Sequence, residues 1–190
     1  MTVQHPTEQP LPTGPTGSAA TRLVVLRGPS GAGKSTVATA ARARLGRGVA
    51  LVQQDLLRRV VLRERDVPNG VNIGLIATVC RFSLDAGYHV ILDGILTTAR
   101  YGPMLRQLAA DHRGQTTFLY LDVPFEETVR RHATRDQASE FTPENMRSWF
   151  AASDRLDVPG EQTVTASSSA KDTVDRVIAL FTESTLPQVP

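Results

Sequence analysis

The chain has 190 residues, 41% hydrophobic and 21% charged, which suits one soluble globular domain and is too short for two. A net charge of +2 with dispersed basic residues argues against nucleic acid as a partner, and no apolar run reaches the roughly 18 residues of a membrane span. Cys80 is the only cysteine, which excludes an internal disulfide; with no basic and apolar leader, the expectation is a cytoplasmic protein.

Residues 1–20 carry four prolines, two glycines and almost no large apolar side chains. Such a segment buries too little to offset its ordering entropy, so a disordered tail is expected there. Residues 184–190 read the same way, leaving a domain over 21–183. Within it, strands are expected at Leu23–Leu26, Val49–Val52, His89–Leu92, Thr117–Leu121 and Gln162–Thr165. Helices are expected after the first strand and over Asp55–Arg65, Val71–Ala86 and Arg100–Asp111. A further helix should start with Pro124 at its first position, another at the Thr142-Pro143-Glu144 cap, and a last one should span Ala170–Phe181. Short apolar strands joined through helices predict parallel pairing and a three-layer α/β domain.

The first strand–helix junction reads GPSGAGKST. Glycine, four residues, then Gly-Lys-Ser is the pattern of a loop that wraps nucleotide phosphates. Gly28, Gly31 and Gly33 let backbone N–H groups approach phosphate oxygens. Ser30, Ala32 and Thr36 complete the expected contacts, and the helix start favours an anion. Lys34 is placed to reach the β- and γ-phosphates, and the Ser35 hydroxyl to ligate Mg²⁺.

Two carboxylates follow strand ends, the edge where open α/β sheets bind ligands. Asp55, after the second strand, can accept the proton of an attacking hydroxyl; it could equally cap the next helix. Asp93 ends the third strand, where it can hold Mg²⁺ directly or through water, or bind the acceptor; an Asp-Gly turn is the plain alternative. Arg131 and Arg135, four apart, share a helix face suited to a lid over the triphosphate, or to pairing with Glu126, Glu127 or Asp136. His89 reads as a strand residue, Cys80 as a buried filler, and Trp149 and Phe150 as packing for the lid helix or as a stacking surface.

On GPSGAGKST, QQDLLRR, AGYHVILDGILTTAR and YLDVPFEETVRRHATR, residues 22 to 181 resemble the P-loop kinases related to adenylate kinase. The likeness is to the group holding polynucleotide 5′-kinase, zeta-toxin and chloramphenicol phosphotransferase-type domains. The resemblance implies a P-loop NTPase fold with a five-stranded parallel sheet, order 2-3-1-4-5, and a small helical lid at about 135–152. It implies Asp55 as general base, Arg58 as an acceptor contact, Asp93 near the metal or acceptor, and Arg131 and Arg135 as lid arginines. ATP and Mg²⁺ are the implied cofactors and a small-molecule alcohol the acceptor. A polynucleotide 5′-hydroxyl kinase and a slowly hydrolysing nucleotide switch are the alternatives. An apolar lining beyond the γ-phosphate would favour a drug-like or metabolite acceptor, an arginine lining a nucleotide.

Overall fold

Five parallel strands form one sheet in the order β2-β3-β1-β4-β5. They are β1 (Arg22–Arg27), β2 (Val49–Gln53), β3 (His89–Asp93), β4 (Gln115–Asp122) and β5 (Gln162–Thr165). The helices are α1 (Lys34–Leu45), α2 (Val71–Asp85), α3 (Thr98–Asp111), α4 (Phe125–His132), α5 (Pro143–Trp149) and α6 (Ala170–Thr182). The computed structural model describes residues 10–133, 142–150 and 152–182; Arg135 and the first half of the expected lid lie outside the described residues, as does the Trp149 side chain.

The run Leu-Val-Val-Leu in β1 lacks polar alternation because both faces of the sheet are covered. Leu23 and Val25 pack with Ile76, Cys80, Leu92 and Tyr101 on the α2/α3 side. Val24 and Leu26 pack with Val37, Ala41, Leu119 and Val177 on the α1/α6 side. Cys80 is fully buried in the first cluster, and burial pushes its thiol up to about 12, so it is a filler rather than a nucleophile. The parallel register sets Gln53 beside Asp93 and Asp93 beside Leu26, so the ends of β2, β3 and β1 meet at one edge.

Three local expectations change. The helix expected over Asp55–Arg65 is a single π-helical turn, Leu56–Val61. Leu62 N–H bonds to the Leu57 carbonyl at 3.0 Å, and Arg63, with φ +56°, turns the chain away. Pro124 sits at the N-cap of α4 rather than inside it, with extended ψ of 149°. Thr142 does cap α5, and its side chain and that of Asn145 form a reciprocal capping box.

The third concerns the expected N-terminal tail. Residues 10–20 are not loose: Thr16 is buried and forms a parallel bridge with His112. The Asp85 carboxylate accepts from the Thr16 hydroxyl at 2.9 Å and the Gly17 N–H at 2.7 Å, while Arg81 donates to the Gly14 carbonyl at 2.8 Å and pairs with Asp111. The segment is polar because its partners are; composition sees only its own side chains. Residues 1–9 of the expected tail lie outside the described residues.

Nearby, His112 accepts or donates between the hydroxyls of Thr21 and Thr116, both at 2.9 Å. Burial, then the positive charge of Arg22, lowers its pKa to about 4. Its unfolded counterpart titrates near 6.5, so the unfolded chain takes up the proton first as pH falls. Stability should therefore be full above about pH 6.5 and decline by roughly 3 kcal/mol towards pH 4. Denaturant unfolding of the wild type and His112→Asn across that window checks this: the variant should show a clearly shallower slope, the remainder coming in part from His89, whose pKa burial also lowers, and an equal slope would contradict it.

Candidate active site

At the meeting edge the chain leaves β1 and folds into the glycine loop. Gly28 has φ +142°, and a Cβ there would lie 2.6 Å from the Leu121 carbonyl oxygen, so the loop can fold against β4 only with glycine. Gly33 caps α1 with φ +99°; it provides no side-chain cap and faces open space. The first turn of α1 carries no acidic residue, so the positive end of its dipole is directed at the loop. Lys34 is 6% exposed, with its ammonium donating to the Pro29 carbonyl across the loop at 2.8 Å. Ser30 is half-buried, Ala32 is buried, and Ser35 and Thr36 are exposed on the opening turn.

Asp93 lies beside this loop and is 2% exposed. Gln53 donates to its Oδ2 at 3.3 Å, while Oδ1 is buried with no hydrogen-bond partner. Burial raises the Asp93 pKa above the usual carboxylate range; the Lys34 charge and hydrogen bonds from Ser35 and Gln53 pull it down, and the negative charge of Asp55 pushes it up. Lys34, Ser35, Gln53 and Asp55 are thus all near enough to Asp93 to act on its charge, at the edge where β1, β2 and β3 end. An orphaned carboxylate oxygen next to a serine hydroxyl fits a hard divalent cation completed by phosphate oxygens and water. Among the described residues no cluster of three or more His, Cys, Asp or Glu could hold a metal ion.

Asp55 stands at the N-cap of the π-helical turn but makes no side-chain cap hydrogen bond. Its carboxylate is 63% exposed, and Oδ1 accepts from Arg58 at 2.8 Å. Arg58 also donates to the Glu64 carbonyl at 3.2 Å, so it fixes the carboxylate and closes the turn.

On the other side of the loop, Arg131 donates to the Ala32 carbonyl at 3.1 Å and to Glu127 at 2.6 Å. Glu127 is held down to about 2 by Arg130 and then Arg131, and so stays ionised as their anchor. Arg131 thus pairs as a surface helix would while touching the phosphate loop. A cleft of about 570 Å³ runs from Gly33 and Thr36 past Arg130 and Arg131 to Ser167–Ser169, between β5 and α6. Phe150 stacks edge-on against Phe125 at 5.2 Å, and the Arg147 guanidinium lies 4.1 Å over the Phe125 ring, so this end of α5 is docked on α4.

Two networks escaped the sequence reading. Arg27, the residue before Gly28, is fully buried. It donates to the Leu96 carbonyl at 3.1 Å, Glu161 at 2.8 Å, Thr98 at 2.7 Å and Asp154 at 3.1 Å. The signal was available: an arginine closing a strand otherwise buried on both faces must have buried partners. The second network starts at Gln54, which donates to the Tyr101 hydroxyl at 2.7 Å and accepts from the Leu96 N–H at 3.3 Å. Tyr101 in turn donates to Asp66 at 2.6 Å. Leu96 is wholly buried with φ +46°, a strained conformation held from both sides by these networks. It follows Asp93 by three residues, so the strain sits in the loop leaving the site.

The family model for the AAA domain (AAA_33) matches residues 23–158. No curated protein matches the sequence significantly. Among solved structures, Mycobacterium tuberculosis APS kinase in complex with AMPPNP and APS superposes with a TM-score of 0.63 at 22% identity, over 88% of this chain and 99% of that one. A sugar kinase from Janibacter sp. HTCC2649 gives 0.64 at 20% identity, over 86% of this chain and 96% of that one. A gluconokinase from Sinorhizobium meliloti 1021 gives 0.59 at 15% identity, over 89% and 93%. These likenesses establish a P-loop NTPase fold with the sheet order found here. Among the described residues no helix is long and apolar enough to cross a membrane.

Proposed function

The chain belongs to the AAA domain family, and from that premise we propose that it is an ATP–Mg²⁺-dependent kinase that phosphorylates a hydroxyl of a small molecule. The observation that carries this reading is an exposed Asp55 carboxylate just past the end of β2, on the sheet edge that also holds the glycine loop and the buried Asp93, whose charge it influences. The three solved neighbours described above are a sugar kinase, a gluconokinase and an APS kinase with a nucleotide analogue bound, which supports the same reading.

The roles follow from charge and position. The loop amides and Lys34 bind the β- and γ-phosphates, and Arg131 closes from the side of α4. The base and ribose occupy the cleft towards Ser167–Ser169. Ser35 and Asp93 would hold Mg²⁺, which supplies charge neutralisation on the phosphate oxygens. Asp55 takes the proton of the acceptor hydroxyl as its oxygen bonds to the γ-phosphorus, and the bond from that phosphorus to the β–γ bridging oxygen breaks to release ADP. Arg58 keeps the Asp55 carboxylate aimed during this step. Arg135 is the second lid arginine in the proposal.

Lys34→Ala should weaken Mg-ATP binding by at least about tenfold and lower turnover as well, since the lysine serves ground state and transition state alike; calorimetric titration with a nonhydrolysable analogue checks the first part. The function is tested with γ-labelled ATP and a panel of nucleosides, aminocyclitols, phenicols, sugars and 5′-hydroxyl oligonucleotides. Label should appear on one class of small-molecule alcohol. Label only in inorganic phosphate would favour the switch, and label on the oligonucleotide the polynucleotide kinase.

A further inference from the structure

The π-helical turn beside Asp55 displays more apolar surface than its packing requires. None of its residues is buried, yet Leu56 is 47%, Val60 67% and Val61 60% exposed. With hydrogen bonds closing five residues back, side chains four and five apart fall on one side, so Leu56, Val60 and Val61 form one stripe. The opposite side is accounted for: Leu57 packs against the α2/α3 core, and Arg58 is engaged by Asp55 and the Glu64 carbonyl. Val67, in the connection that follows, is also 45% exposed.

Resting on the kinase reading, we propose that the acceptor is an alcohol with an apolar body, aryl or branched aliphatic, and that Leu56, Val60 and Val61 select it. Val60 stands five residues after the carboxylate that receives the hydroxyl proton, on the same side by the same spacing, so a molecule presenting its hydroxyl to Asp55 lays its remaining surface along this stripe. Burying that surface is favourable only if the molecule is itself apolar. Charge points the same way. The turn's inward arginine pairs with Asp55 instead of facing an incoming anion, and an anionic acceptor would meet the exposed Asp55 carboxylate. Arg59, Arg63 and Arg65 are exposed on the same stretch and define the opposing case, an anionic acceptor held by guanidinium groups.

The test compares three primary alcohols as acceptors with labelled ATP: an aryl alcohol, a neutral sugar and a sugar phosphate. Each is assayed with wild type, Val60→Asn/Val61→Asn and Arg63→Gln/Arg65→Gln; all four positions are exposed, so folding should be unaffected. The aryl alcohol should have the highest kcat/KM. The valine double variant should raise its KM about tenfold with kcat and nucleotide affinity nearly unchanged. Preference for the sugar or the sugar phosphate, with the valine variant silent, overturns the inference while leaving the kinase intact. A valine variant that dissociates a dimer on gel filtration and leaves acceptor kinetics untouched also overturns it, assigning the stripe to a second copy of the chain. Absence of label on every acceptor overturns the kinase reading itself, and this inference with it.

Discussion

Asp55→Asn should lower turnover by about 10²–10⁴-fold while changing nucleotide affinity by no more than about twofold. The asparagine keeps the size of the side chain and an oxygen for Arg58, but it cannot take up a proton. Because the native side chain makes no cap hydrogen bond and is 63% exposed, its loss should leave stability nearly unaltered. A purely structural role as a helix cap predicts the reverse pattern, a stability loss with turnover preserved. Steady-state kinetics and thermal unfolding of the one variant separate the two.

Arg27→Met should be the most destabilising single change in the molecule. Its guanidinium serves Glu161 and Asp154 on the segment after α5, and Leu96 and Thr98 on the segment after β3. Methionine fills much of the volume but removes the guanidinium from Glu161 Oε1 on a side chain 1% exposed, leaving that carboxylate only the Leu156 and Asp157 N–H groups and Arg155 at 3.7 Å on Oε2. Removing one partner of a buried pair costs about 3–5 kcal/mol, equivalent to a fall in Tm of roughly 10 °C for a chain of this length. Arg27→Met/Glu161→Gln should recover part of that loss because the buried negative charge that lost its main partner is removed with it. If the single variant melts with the wild type, the network does not carry the stability argued for it.

How much of this was legible in the sequence depends on the range over which each feature is determined. The phosphate loop was legible because a glycine with φ +99° at the start of α1 and a close approach at Gly28 are demands of local backbone geometry. The sheet was legible because strands buried on both faces read as continuous apolar runs; its order came from the family resemblance and the structure has the same order. Asp55 and Asp93 could be named as candidates because both follow strand ends, which the sheet order sets side by side at one edge. The resemblance named Arg58 as an acceptor contact; in the structure it pairs with Asp55, three residues earlier, which that spacing allows and no pattern requires.

What was not legible rests on distant partners. Thr16 is held by Asp85, 69 residues away, and Arg27 by Glu161, 134 residues away. Nothing in the composition of residues 10–20 encodes an acceptor on α2, so a polar segment looked unable to order itself. The π-helical turn was read as an ordinary helix because Leu-Leu-Arg-Arg-Val-Val satisfies helical periodicity. Its early stop comes from Arg63 in the left-handed region and the Arg58 contact with Glu64. That stop is what leaves Val60 and Val61 facing outward beside Asp55.

The most direct test of the account is a crystal structure with AMPPNP, Mg²⁺ and no acceptor. The account predicts the β- and γ-phosphates wrapped by residues 28–35, the cation on Ser35 and Asp93, and the Asp55 carboxylate separated from the γ-phosphorus by a gap wide enough for one hydroxyl group. A triphosphate seated away from the loop, or an Asp55 side chain turned from the γ-phosphate with that gap filled by protein, would contradict it.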